Sequence, residues 1–243
     1  MIVTRRALLV AGSAGLLTGC DRFTDSPVLA SAEEAHRFLQ RSIGRGALAT
    51  EFRPEQRSPR FRVNGTHHPN TPEYNIWAGT RFVDWRLAVD GMVARPLRLS
   101  LGQLQAMPQR AQITRHDCVE GWSAIGKWQG PQLATVLQAA GISPLARYIV
   151  FHCADRYGNS NYYESIDMID ALHPQTILAW ALNDRLLDIG HGAPLRLRVE
   201  RQLGYKHAKY LTRIEAVASL ARIGAGKGGT WEDSNGYQWY AGI

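Results

Sequence analysis

The sequence predicts an α+β domain. Apolar and alternating strand-like segments are interspersed with short, irregularly placed helical stretches, and 243 residues without an internal repeat or low-complexity tract suffice for one large core. Each element follows from local chemistry.

Residues 1–19 read as an export leader. Thr4-Arg5-Arg6-Ala7-Leu8-Leu9 is a twin-arginine pattern, and the apolar stretch ending at Leu17 is too short to cross a bilayer as a permanent helix. Twin arginines address a chain to the route that exports folded proteins. Leu17-Thr18-Gly19-Cys20 has the form of a lipobox, so Cys20 is expected to be acylated and to anchor the chain to a membrane. Asp21 after it resembles an inner-membrane retention signal. Residues 20–60 are expected to be a tether and lead-in. There Ser31-Ala-Glu-Glu34 resembles a capping box opening a short helix with Ala35, Phe38 and Leu39 on one face, and Arg53–Arg60 runs extended into a domain over 61–243.

Inside that domain, Trp85, Leu87 and Val89 alternate with polar or small residues and end in Asp90-Gly91, a strand and turn. Ser100 caps a helix carrying Leu101 and Leu104, stopped by Pro108. Leu133, Val136, Leu137 and Ala140 have helical spacing before Gly141. Arg147–Cys153 and Ile177–Leu182 read as buried strands. Leu195, Leu197 and Val199 alternate with Arg196, Arg198 and Glu200, which predicts a half-buried strand.

Lys and Arg outnumber Asp and Glu by 28 to 21, and removing the leader lowers the formal charge from +7 to +5. No run of basic residues forms a nucleic-acid groove, so the excess suits anionic headgroups or an anionic ligand. Three cysteines, Cys20, Cys118 and Cys153, cannot build a disulfide framework.

The chemistry centres on Cys118 in Ile113-Thr-Arg-His-Asp-Cys-Val-Glu-Gly-Trp-Ser-Ala-Ile-Gly-Lys-Trp-Gln-Gly130. No second cysteine lies within chelating distance, which excludes the two-cysteine zinc and iron–sulfur spacings. A soft metal ligand, a nucleophile or a buried hydrophobe remain. The run closely resembles the cofactor-ligating segment of the sulfite oxidase superfamily, nearest to its bacterial periplasmic methionine sulfoxide reductase type. That resemblance implies a single mixed α/β molybdopterin-binding domain without a C-terminal dimerisation domain, a molybdenum–molybdopterin cofactor, and Cys118 as its thiolate ligand and catalytic residue. Arg115 and His116 are the nearby cations expected to favour the thiolate. Trp122 and Trp128 are assigned to packing.

Two further segments share the resemblance. Gly190-His191-Gly192-Ala193-Pro194-Leu195-Arg196 is similar to the family's Asn-Gly-Ala-Pro-x-Arg, where the first residue and the arginine contact the pterin; His191 stands in place of the asparagine. Leu203-Gly204-Tyr205-Lys206-His207-Ala208-Lys209 is similar to a loop that holds the cofactor's phosphate, implying cofactor contacts for Tyr205, Lys206, His207 and Lys209. Asn64 and Cys153 are carried over as cofactor contacts by position, and Gly236-Tyr237-Gln-Trp-Tyr240-Ala241 echoes a segment of the reductase.

The resemblance implies an oxidoreductase moving an oxygen atom to or from a small substrate. Reduction of S-oxides such as methionine sulfoxide in the cell envelope is the first reading, and a sulfite-type oxidase passing electrons to a cytochrome the alternative. Sulfite-oxidising members place an arginine soon after the cysteine, where Val119, Glu120 and Gly121 stand here. With no haem-attachment motif, a separate membrane haem protein or cytochrome is the expected electron partner, and a monomer on the periplasmic side of the cytoplasmic membrane the expected state. A cysteine hydrolase and a non-catalytic envelope lipoprotein retaining the fold are the rivals.

Overall fold

The computed structural model describes Arg45–Ile243. The expected leader, Cys20 and the Ser31 capping box lie outside these residues. Five strands, β1 (Leu87–Gly91), β2 (Leu97–Leu99), β5 (Tyr148–Tyr157), β6 (Ser160–Asp167) and β11 (Leu211–Val217), form a sheet in the order β2-β1-β11-β5-β6. Only β1 and β11 run parallel within it. Its inner face carries Leu87, Val89, Ile149, Phe151 and Ile214, all fully buried. Helix α3 (Leu133–Ala140) closes that core with Leu133, Val136, Leu137 and Ala140, the four positions its spacing predicted, and ends at Gly141 in the left-handed region. Helix α2 (Leu101–Ala106) starts at the predicted Ser100, whose hydroxyl accepts the Gln103 N–H while the Gln103 side chain answers.

A second sheet grows from a long hairpin. Strands β3 (Gln109–Cys118) and β4 (Trp122–Pro131) pair along their whole length, and β8 (Ala181–Leu182) and β9 (Arg185–Leu186) continue from β4. Strands β7 (Ile177–Ala179) and β10 (Arg196–Arg198) make a separate antiparallel pair. A short helix α1 (Pro72–Gly79) precedes the first sheet, α4 (Met168–Ala171) follows β6, and α5 (Thr230–Asn235) lies near the C-terminus against β6, where Thr230 Oγ1 accepts the Tyr163 N–H. Over the described residues this is a single mixed α/β domain, as the sequence predicts.

Three local expectations change. The strand over Ile177–Leu182 is split at Trp180, so β7 pairs with β10 and β8 with β4. Arg53–Arg60 contains a 3-10 turn at Pro54–Gln56 instead of running extended throughout. The strand at Leu195–Val199 is not half-buried: every residue from Ala193 to Glu200 is buried, arginines included. Alternation misleads there because charged partners and an indole, rather than water, receive the polar face. The lead-in itself is packed from its first described residue, with the Arg45 guanidinium held by Asp167 and Asp170 and the Phe52 N–H bonded to Ile113 O.

Candidate functional site

The β3–β4 hairpin turns through Val119, Glu120 and Gly121, and Gly121 takes φ +84, a conformation that a side chain resists. This turn presents Cys118, partly exposed, at the hairpin tip. The residues of β3 that share its face are Gln112, Thr114 and His116, all buried. Cys118 is therefore the outermost member of a polar row leading into the protein.

A pocket opens beside it. Asn64, Gly65 and Thr66, from the segment before α1, form one side; Asp155, Arg156 and Tyr157 from the end of β5 form another. The pairing of β5 with β6 shifts register between His152 and Arg156, which bends the strand where it meets the pocket. Gly204, Tyr205, His207, Ala208 and Lys209 line it from the loop after β10, and Trp231 and Tyr237 from the C-terminal segment. Gly204 is a point of close approach: a Cβ there would sit 2.6 Å from His116 Nε2 and 3.2 Å from Asp117 O.

Behind the lining lie buried cations. Arg196 and Arg198 are both fully buried and both lie over the Trp128 ring, at 4.9 and 4.4 Å from its centre. Arg198 is compensated by a two-point pair with Glu200 and also donates to His116 Nδ1 at 2.8 Å. Arg196 reaches only the carbonyls of His191 and His207. Burial first, then the charge of Arg198, lowers its pKa to about 9. Burial and Arg196 likewise bring Lys209 down to about 7, although its ammonium donates to the carbonyls of Asn64, Thr66 and Gly190. These two cations bond carbonyls rather than carboxylates, an arrangement that costs stability unless an anion completes it.

Two histidines add unfilled hydrogen bonds. Arginine only donates, so His116 Nδ1 accepts from Arg198 and the ring proton sits on Nε2, which is buried without a partner. His207 gives its Nε2 proton to Gln202 O, leaving Nδ1 as a buried acceptor without a partner. The rings lie 5.0 Å apart, and burial followed by Arg198 holds both neutral. Asn64 Oδ1, Asp155 Oδ1 and Arg196 Nε are also buried and unbonded. Burial lifts the Asp155 carboxyl to about 6, against the pull of Thr66 and Lys209.

Among the described residues no group of three or more His, Cys, Asp or Glu could hold a metal by itself. The donor set fits a ligand that is anionic, rich in hydrogen-bonding edges, and supplies most ligands of any metal it carries. Cys118 would add one soft sulfur. Its thiol is raised above the ordinary range by burial; the Glu120 N–H draws it back, the Glu120 carboxylate raises it again, and Arg62 opposes that. Arg115 and His116 do not activate it as expected: Arg115 pairs with Asp117 on the exposed face, and His116 is neutral and bonded inward.

Of the residues expected at the site, Asn64, Cys118, Tyr205, His207 and Lys209 come together around the pocket, with Arg196 beneath. Three go elsewhere through their side chains. His191 turns its ring to Phe61 O and Asp188 and contributes its own carbonyl to Arg196. Cys153 is buried and borders a different cleft, beside Arg213. Lys206 is fully buried between Glu164 and Glu232, at 2.7 Å from the latter. Sequence reasoning missed Asp155, Tyr157 and Trp231. A carboxylate directly after the largely apolar strand segment Ile149–Ala154 was the available signal for the first.

Comparison with known proteins supplies a family. Residues 73–221 match the oxidoreductase molybdopterin binding domain. An Azospira oryzae protein named "Putative protein-methionine-sulfoxide reductase subunit YedZ1" is 38% identical over 98% of this chain and 87% of its own length. The protein-methionine-sulfoxide reductase catalytic subunit MsrP of Gluconobacter oxydans is 34% identical over 54% of this chain and 46% of its own. The solved sulfane dehydrogenase SoxCD of Paracoccus pantotrophus shares the fold at a TM-score of 0.52, with 23% identity over 56% of this chain and 39% of that one.

Proposed function

Because the chain belongs to the molybdopterin-binding oxidoreductase family, we propose that it is a molybdenum–molybdopterin enzyme that reduces S-oxides in the cell envelope. The observation that carries this is Cys118 at the hairpin tip, beside a pocket around which buried cations bond only carbonyls and several buried polar atoms have no partner. When bound, the molybdenum cofactor supplies two-electron oxygen-atom exchange. The chain's own residues hold it: Cys118 as the sulfur ligand, Arg196 and Lys209 as counter-charges, and Asn64, His116 and His207 as partners for the pterin edges and phosphate. Cys118 alone is assigned to catalysis.

Reduction of a sulfoxide breaks its S–O bond and releases water, consuming two electrons and two protons. Direction toward S-oxides is supported by the names of two relatives and by the charge at the pocket. Glu120, bonded to the Trp122 indole at 2.9 Å, places a carboxylate next to Cys118. A neutral sulfoxide tolerates that charge, and a sulfite dianion is repelled by it. Electrons would come from a separate haem protein or cytochrome. The twin-arginine leader and an acylated Cys20 would place the enzyme at the periplasmic face of the cytoplasmic membrane, close to such a partner. Among the described residues no helix is long and apolar enough to cross a membrane.

The test is turnover by protein isolated with its cofactor: reduction of methionine sulfoxide by an artificial electron donor is expected, with no oxidation of sulfite. The reverse pattern would overturn the direction. For the anchor, Cys20→Ala is expected to move the protein from the membrane to the soluble envelope fraction, and unchanged fractionation would remove the lipid.

A further inference from the structure

The mouth of the pocket is aromatic. Tyr157 from β5, Tyr205 from the loop after β10, and Trp231 and Tyr237 from the C-terminal segment all line it. Their rings form one continuous chain: Tyr157 and Trp231 lie 4.8 Å apart, Trp231 and Tyr237 stack at 5.7 Å and 25°, and Tyr237 meets Tyr205 edge-on at 5.0 Å. Two of the hydroxyls are hydrogen-bonded outside the cluster, Tyr205 donating to Gln238 O at 2.6 Å and Tyr157 to Asn235 Oδ1 at 3.4 Å. Tyr157 and Tyr237 are 42% and 37% exposed, and Val119 of the hairpin turn, 45% exposed, lines the same pocket beside Cys118. Apolar surface left open around a polar pocket marks a contact site rather than core.

The cluster is held in place from behind. Helix α5 carries Trp231 and, one residue on, Glu232, whose carboxylate is buried against the Lys206 ammonium; Lys206 also pairs with Glu164 of β6. Asp233 accepts the Ala225 and Lys227 N–H bonds and the Tyr163 hydroxyl, fixing the chain before the helix. Lys206, expected in the sequence to touch the cofactor, thus ties down the segment that bears the aromatic rings.

We propose that Trp231 and Tyr237, backed by Tyr157 and Tyr205, form a specificity-determining wall that binds the apolar arm of an S-oxide while its oxygen points toward Cys118. This rests on the S-oxide reading above. Offset and edge-on contacts to a ring, and sulfur against an aromatic edge, are the interactions such a wall offers. The carboxylate of Glu120 beside it disfavours an anionic arm.

The experiment uses cofactor-loaded protein and two substrates that differ only in the arm, dimethyl sulfoxide and methyl p-tolyl sulfoxide. Trp231→Ala and Tyr237→Ala are expected to raise KM for the aryl substrate about tenfold while KM for dimethyl sulfoxide stays within about twofold and kcat and molybdenum content hold. Trp231→Phe is expected to recover most of the loss. Equal losses on both substrates, or none on either, would overturn the wall. Calorimetric binding of methyl p-tolyl sulfone, which presents the same arm without turnover, separates the two claims. Binding by the wild type that weakens about tenfold in Trp231→Ala supports the wall even if no sulfoxide is reduced, in which case the reduction reading fails alone. Sulfone binding that is absent, or equal in both proteins, overturns the wall even if sulfoxides are reduced.

Discussion

The two sides of this domain bury their residues by opposite rules. Under the five-stranded sheet the interior is apolar, with Leu87, Val89, Phe151, Ile214 and the face of α3 packed together. Beneath the β3–β4 hairpin, Gln112, Thr114, His116, Arg196, Arg198, Glu200 and His207 are buried just as deeply. The first interior is complete in itself. The second contains two cations bonded to carbonyls alone and several polar atoms without partners, which is where the proposed cofactor would supply the missing bonds. Stability and ligand binding should therefore separate by region.

The largest effect is expected at the junction of pocket and hairpin. Cys118→Ala should fold and retain pterin through the other contacts, yet lose turnover by at least about a hundredfold, since even groups that merely support a metal ligand matter by ten- to a hundredfold. Activity near wild type would remove the ligand assignment. In the apolar interior, Phe151→Ala should lower unfolding free energy by about 3–5 kcal/mol in denaturant titrations, while the protein that remains folded keeps its molybdenum. Arg196→Met should do the reverse. Cofactor retention is expected to fall by roughly ten- to a hundredfold, with the cofactor-free fold shifted by no more than about 1 kcal/mol, because a lone buried charge is replaced by a side chain that still packs on Trp128. A large loss of stability there would erase the contrast.

The smallest effect sharpens it through pH. The Asp155 carboxyl is raised from 3.8 to about 6 by burial. Between those values the folded state holds a proton that the unfolded chain has released, so this group's contribution falls as pH rises and is gone above about 6. Asp155→Asn removes that penalty. The cofactor-free Asp155→Asn variant, compared with wild type by thermal melts across pH 3–8, should be more stable by about 3 kcal/mol well above pH 6 and equal to it below pH 4. A difference independent of pH would show that Asp155 is not buried as a strained carboxylate.

The same contrast explains what the sequence made legible. Helices α2 and α3 announced themselves through Ser100, Gly141 and apolar spacing, because their burial follows hydrophobicity. The β3 strand did not, since its inward face is Gln112, Thr114, His116 and Cys118, which reads as a solvent face. Strand β10 misled for that reason, its arginines being buried against an indole and a carboxylate. Strand β11 hid because the register shift between Leu211 and Arg213 breaks its alternation. Motif likeness pointed to Cys118, Arg196 and Lys209, which the fold brings close to one pocket, but it could not foresee that Lys206 and His191 would spend their side chains on Glu164, Glu232 and Phe61 O. Side-chain direction is decided by neighbours distant in sequence.

The most direct test of the central claim is the molybdenum and pterin content of the full chain, made with its own leader in a host that assembles the cofactor. Near one molybdenum per protein, lost in a cofactor-deficient host while the protein stays folded, is the result this account predicts. Well-folded protein without molybdenum from the competent host would contradict it.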